Sequence, residues 1–257
     1  MDSDKAASIC ITTYNGARTL KPSLQSILSQ IGPDFEVVVV DNCSTDGSEN
    51  YLAKLQAEGS IRLIEKKCSR GLGRQIAFEH STGRYVFASV DTDTIYRPVF
   101  KDVLEIYKRK YEGSVLVLKG LQISSREITK KIGWRDLQWG EDRDMWARTA
   151  RDGCLLFFDY DVKTSARKMG GGRIAASHKL RYHYEIVRDA ARTGFSFPVI
   201  AAETRSWPSI IVFACLLVPC TLIARTYPNW RNPWNKRFRL QNYQGRGVLF
   251  ENQPPTL

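Results

Sequence analysis

Soft metal ligands are few and scattered in this 257-residue chain, which carries three histidines and six cysteines. Cys10, Cys43, Cys68, Cys154, Cys215 and Cys220 form no CxxC pair and keep no ligand spacing with a histidine. That excludes a zinc ribbon or finger, argues against a disulfide framework, and fits a reducing compartment. The opening MDSDKAAS is polar and lacks an apolar run, so no cleavable signal peptide is expected. Helix-turn-helix, zinc-finger and RNP-type signatures are also missing, so the net charge of +11 is not read as nucleic-acid binding.

What is present is ample apolar material, 43 % of the chain, enough for one large domain or a domain with an appendage. Charge is unevenly placed. Residues 1–120 hold 16 basic and 15 acidic side chains, whereas the remainder holds 22 and 12. A basic second part suits an anionic surface such as lipid headgroups. The first part is regular: SICITT, FEVVVV, IRLI, YVFASV and SVLVL read as buried strands. Segments with helical spacing lie between them, as in Leu20, Leu24, Ile27, Leu28 and Ile31, and in Val99, Val103, Leu104 and Tyr107. Pro22 and Pro98 are expected in first helical turns, which tolerate proline. Alternating strands and helices predict an α/β fold with a mostly parallel sheet covered on both faces. Ligands then bind beyond the carboxyl ends of the strands.

Those ends are where the polar chemistry sits. The first strand runs into TTYNG, the second into DNCSTDGS and the fourth into DTD. Ser44, Thr45 and Asp46 are candidate caps for a helix starting near Ser48, but capping leaves Asp41 unexplained. In SVDTDTIY two aspartates stand one residue apart, and like charges so close call for a neutralising partner. RGLGRQ lacks the third glycine of a dinucleotide fingerprint, although Arg70 and Arg74 beside a flexible backbone suit a diphosphate.

The stretch ITTYNGARTLKPSLQSILSQ…FEVVVVDNCSTDGS…GLGRQIAFEHSTGRYVFASVDTD resembles the amino-terminal half of family 2 glycosyltransferases of the GT-A fold, over roughly the first 155 residues. The resemblance implies an inverting enzyme whose DxD motif holds Mn2+ or Mg2+ against a nucleotide-sugar diphosphate. It implies Asp93 as the direct metal ligand and Asp91 near the ribose or donor sugar. Thr12, Tyr14 and Asp41 would line the nucleoside pocket, and Asn42 stands where many members carry a second acid. LQWGEDRDMWAR is similar to the family's ED motif, which makes Asp142, paired with Glu141, the general base. Acids opening a helix are also favoured by its dipole, so a capping role is the competing reading. A base suits a hydroxyl acceptor; a phosphate acceptor is already ionised and needs none. GT-A enzymes often add a histidine ligand, and His178 is the candidate, with His183 its competitor. A mobile loop is expected at the glycine run MGGGR before it.

WPSIIVFACLLVPCTLIA, residues 207–224, has no charge and is near the lower limit for crossing a bilayer. It is bounded by Arg205 and Arg225 and flanked by segments mixing basic and aromatic residues, as interface anchors do. A buried core helix is the competing reading. The cellulose-synthase-like members combine a GT-A domain with membrane helices, but their QxxRW motif is missing here. The expected organisation is a catalytic domain over 1–177 and an interfacial, transmembrane or re-entrant region over 178–257. The expected activity is transfer of a hexose to a hydroxyl of a lipid-linked glycan or glycolipid, on a membrane with the catalytic domain facing the cytoplasm. A polyprenyl (dolichyl) phosphate sugar synthase and an inert membrane-surface binding module are the alternatives.

Overall fold

Seven strands form the central sheet and two more form a small pair beside it, in a computed structural model that describes residues 5–166, 176–194, 240–245, 215, 216, 220 and 222. In chain order the elements are β1 (Ala7–Thr13), α1 (Ala17–Leu28), β2 (Phe35–Asp41), α2 (Ser48–Ala57), β3 (Arg62–Glu65), α3 (Arg70–Glu79) and β4 (Tyr85–Val90). There follow β5 (Thr94–Tyr96), α4 (Phe100–Ile106), β6 (Val115–Lys119), β7 (Leu121–Ser125), α5 (Arg126–Ile132), α6 (Glu141–Arg151), β8 (Leu155–Asp161), β9 (Lys163–Ala166) and α7 (Ala176–Thr193).

The sheet order is β3-β2-β1-β4-β7-β6-β8, and β5 pairs with β9. All neighbours in the large sheet are parallel except those of β7, which runs antiparallel to both β4 and β6. The chain leaves β1 toward β2 on one side and returns to β4 on the other. That reversal opens a crevice at the carboxyl ends of β1 and β4.

The helical spacing read from the sequence is the packing that forms. Leu20, Leu24 and Ile27 of α1 are buried with Leu52, Phe87, Phe100, Val103 and Tyr107 on one face of the sheet. Ile76 and Phe78 of α3 meet Val38, Val40 and Val86 on the other face. Pro22 corrects an expectation: it is the sixth residue of α1, beyond the first turn, so the helix lacks one backbone bond there.

The strands β5, β7 and β9 were not legible in the sequence. β7 is LQISS, and its Gln122 and Ser124 are buried polar groups held by Trp146 and Thr129. Its entry is a two-residue hairpin loop in which Gly120 takes φ 93°, open to glycine without strain.

The later residues pack back onto the first part. Ile186, Val187 and Ala190 of α7 form a cluster with Cys220, against which Trp139 and Leu216 pack. Gln244 bridges to Phe157 of β8, and Leu240 and Tyr243 cover a cluster of Val115, Val117, Trp134 and Phe157. Among the described residues no helix is long and apolar enough to cross a membrane. Most of the uncharged 207–224 run and all of MGGGR lie outside the described residues.

Candidate active site

Parallel register brings three chain turns together, because Thr13 pairs with Asp41 and Ile11 with Val90 at the strand ends. A cavity of about 470 Å³ lies over them, lined by Thr12, Tyr14, Asn42, Arg70, Arg74, Asp91 and Asp93. It adjoins a second cavity of about 790 Å³ that shares Tyr14, Asn42 and Gln138 and reaches Lys67, Cys68 and Arg188. Tyr14 is 60 % exposed, so its ring is available for stacking. The Asn42 side-chain oxygen accepts from the Cys68 N–H at 2.8 Å, which ties the second strand end to the start of α3.

Asp41 is placed differently from the expectation. It lines neither cavity and is only 1 % exposed. Its carboxylate accepts the Ser44 N–H at 2.9 Å and the Ser44 hydroxyl at 2.5 Å, while Ser44 Oγ accepts from Asn15 N–H at 2.8 Å. Asp41 thus builds the floor of the groove by fixing two loops. The cap chemistry is also redistributed, since Asp46 accepts from Ser48 N–H and from Ala17 N–H, at the starts of α2 and α1.

The DTD turn is braced from beneath. The Asp91 N–H donates to the Tyr96 hydroxyl at 2.8 Å, Ser23 Oγ donates to the Asp91 carbonyl at 3.2 Å, and the Thr13 and Thr92 hydroxyls lie 3.3 Å apart. Asp93 is exposed, accepts from Thr94 Oγ1 at 3.3 Å, and makes no ion pair among the described residues.

The partner of the acidic cluster is Arg74. Its guanidinium is buried, sits 5.0 Å from the Trp134 ring centroid, and lies 3.3 Å from Glu141 and 3.9 Å from Asp91. It also hydrogen-bonds Asp142 Oδ1, which accepts from Ser89 Oγ at 2.5 Å. Burial opposes the Arg74 charge, but Asp142, Glu141 and Asp91 more than offset it and hold the guanidinium above its ordinary range. Loss of water raises the Asp91 carboxyl, with Asp142 and Asp93 adding to the push and Arg74 opposing it. Burial likewise raises Glu141, which is 2 % exposed and whose Oε1 has charged neighbours but no hydrogen bond. Glu141 is therefore a buried companion of Arg74 rather than a group at the cavity wall. Asp142 keeps Oδ2 without a hydrogen bond among the described residues, so its orientation is fixed through Oδ1.

Ser89, Tyr96 and Trp134 are functional neighbours that the sequence did not reveal. Ser89 lies in a bulge of β4 with φ 55°, where no local signal marks it. The glycines of RGLGRQ serve packing. A side chain at Gly71 would collide with the Arg135 carbonyl, and one at Gly73 with the Thr12 hydroxyl. They let α3 lie close enough to bring Arg74 into the groove.

A divalent cation is compatible with the donors present. Asp93 and Asp91 offer hard oxygens on the edge of an open cavity, and among the described residues no group of three His, Cys, Asp or Glu is placed to hold a metal ion by itself. That set suits a cation that takes one or two carboxylates and completes its shell with phosphate oxygens and water. His178 falls in the first turn of α7, and its side chain lies outside the described residues.

Comparison with known proteins gives the same architecture. The poly(ribitol-phosphate) beta-N-acetylglucosaminyltransferase TarS of Staphylococcus aureus is 29 % identical over 130 residues, covering 49 % of this chain and 22 % of TarS. The succinoglycan biosynthesis protein ExoO of Rhizobium meliloti is 36 % identical over 90 residues, 34 % of this chain and 25 % of ExoO. The chain spans less than half the length of these relatives. The structure of TarS 1–349 with UDP-GlcNAc superposes with a TM-score of 0.57 at 15 % identity, covering 96 % of this chain and 98 % of that one. The mannosyltransferase PcManGT of Pyrobaculum calidifontis, solved with GDP-Man and Mn2+, gives 0.56 at 18 % identity over 94 % and 85 %. At those identities the likeness shows the fold alone, which is GT-A-like. The sequence profile described as Glycosyl transferase family 2 matches residues 8–170, from β1 past β9 and through every strand end that shapes the groove, and the chain belongs to that family.

Proposed function

We propose that the protein is an inverting glycosyltransferase that moves a hexose from a nucleotide-diphospho-sugar to a hydroxyl of a lipid-linked glycan or glycolipid at the cytoplasmic face of a membrane. The observation that carries this reading is the convergence on Arg74 of Asp91 from the end of β4 and Asp142 from the start of α6. A cavity with Asp93 on its wall lies beside them.

The chain's own groups divide the work. Tyr14 offers a face for the nucleobase, and Arg70, more than half exposed, offers charge toward the phosphates. Asp93, with Asp91 alongside, would hold Mn2+ or Mg2+, which would supply positive charge against the departing diphosphate. Arg74 and Ser89 clamp Asp142 Oδ1, which leaves Oδ2 to take the proton of an attacking hydroxyl. Attack on the face of the sugar opposite the diphosphate inverts the anomeric centre. Membrane action is supported by the uncharged run at 207–224 and its basic, aromatic flanks. TarS is named for a poly(ribitol-phosphate) acceptor, so the lipid-linked acceptor rests on features of this chain alone.

The deciding experiment incubates the full chain with UDP- and GDP-sugars, Mn2+ and a membrane-lipid extract. Label appearing in an organic-soluble glycan supports the reading. Label confined to a soluble acceptor would remove the lipid, and no release of nucleotide diphosphate from any donor would remove the activity.

A further inference from the structure

The mechanism above makes no use of Asp189, a fully buried carboxylate in the last third of α7. Its Oδ2 accepts the main-chain N–H groups of Gln138 at 2.8 Å and Trp139 at 3.1 Å. Its charge is balanced by Arg188, whose Nε lies 2.7 Å from Oδ1 and Nη2 3.0 Å from Oδ2, and by Arg192 at 3.5 Å. A carboxylate is costly to bury, and these donors are what make it tolerable.

The two N–H groups belong to the loop that delivers the acidic pair. Gly140 follows with φ 70°, and α6 begins at Glu141 and Asp142. From the opposite side α3 grips the same loop. Gly71 N–H donates to the Leu137 carbonyl at 2.9 Å, Arg70 N–H to the Gln138 side-chain oxygen at 3.2 Å, and Ser69 Oγ to Asp136 at 2.5 Å. Arg74 stands one turn further along α3. The distance between Arg74 and Asp142 is therefore set by a loop held between two helices, and Asp189 is an α7 side chain that grips its backbone.

We propose that Asp189 is a positioning residue for the transfer reaction. It locks the 136–140 loop so that Asp142 meets the acceptor in register with Arg74, and it makes α7 part of the catalytic apparatus. The inference rests on the reading of Asp142 as the base.

The test is a double-mutant cycle of Asp189→Asn with Asp142→Asn in the full chain. It is assayed with UDP-GlcNAc and GDP-mannose, Mn2+ and a membrane-lipid extract, together with amide hydrogen exchange. Asp189→Asn should lower kcat by about tenfold or more, since small misplacements cost that much. KM for the donor should move by less than about threefold, because the loss falls on the reacting geometry rather than on uniform binding. In the Asp142→Asn background the second substitution should cost little more, because the two act as one unit. Exchange should rise at residues 138–142 while the central sheet stays protected. Equal, additive losses in both backgrounds, wild-type kcat, or unchanged exchange at 138–142 would each overturn the proposal. Full turnover in Asp142→Asn alone would instead overturn the base reading, and the exchange data would still judge the clamp. If Asp189→Asn does not fold, Asp189→Glu keeps the charge and is read in the same cycle; wild-type kcat with wild-type exchange would then count against the positioning role.

Discussion

Ser89 carries a left-handed backbone one residue before the end of a buried strand, and its hydroxyl reaches both Asp142 and Gln122. A side chain there is strained by about 1 kcal/mol, since only glycine visits that region freely. Ser89→Gly should therefore be about 1 kcal/mol more stable than Ser89→Ala, the reverse of the order at an ordinary strand position, as read from urea melts of the two variants. Both should lose turnover, because both free Asp142 from its clamp. Asp142 itself allows a sharper test. Asp142→Asn keeps shape but cannot take a proton, so turnover should fall on the order of 10²–10⁴. Donor affinity by calorimetry should stay close to wild type. Asp93→Ala should give the opposite pattern and lose the Mn2+-dependent part of nucleotide binding, with EDTA making the two proteins alike. If Asp142 only caps α6, asparagine serves nearly as well and turnover survives, which revives a phosphate acceptor.

The first element pair is held by more than its ladder. Glu36 of β2 accepts from Ser8 Oγ at 2.6 Å, Thr82 N–H at 2.5 Å and Gly83 N–H at 3.1 Å, joining β1, β2 and the approach to β4. Partial burial works against its charge, but those donors prevail and hold its carboxyl below the usual 4.5. The folded state therefore binds the Glu36 proton less readily than the unfolded one. The resulting stability is complete above the unfolded value and is lost as pH falls through the lowered folded value. Glu36→Gln should cost about 1.5–3 kcal/mol at pH 7, the range for hydrogen bonds to a charged group. The gap between variant and wild type should close at strongly acid pH, and a gap that persisted there would show packing rather than charge. Cys10 on the neighbouring strand is the counter-case. Burial pushes its thiol up to about 12, so it is a core group without chemistry.

At the scale of the molecule, the segments beyond the family match are attached to the site. Residues 240–245 lie along β8, and α7 walls the larger cavity with Glu185, Arg188 and Arg192. Cys220 is buried against α7, whereas Leu222 is 55 % exposed, so the uncharged run has at least one residue inward and one outward. If the rest of that run meets lipid, the full chain should stay with membranes through a high-salt wash and leave only with detergent. Release by salt alone would mean that the basic residues, and not the apolar run, made the attachment.

Sequence by itself determined the parallel half of the sheet, because β1, β2 and β4 are continuous apolar runs buried on both faces and their ends carry the polar motifs. It also showed DTD and the acids of LQWGEDRDMWAR as clusters, and the family resemblance singled out Asp91, Asp93 and Asp142 within them. Tertiary structure decided the rest. Two aspartates in DTD called for a partner, and the one that Asp91 has in the described structure, Arg74, lies seventeen positions before it, brought there by a helix whose glycines permit close approach. Asp41 looked like a pocket residue until its short bonds to Ser44 turned it into a floor. β7 was hidden because its buried Gln122 and Ser124 read as loop, their partners being remote in sequence. Asp189 was one of two acids in a basic helix, and only the fold shows which backbone it holds. Local pattern encodes burial and turns, whereas the pairing of charges depends on which strand ends the topology sets side by side.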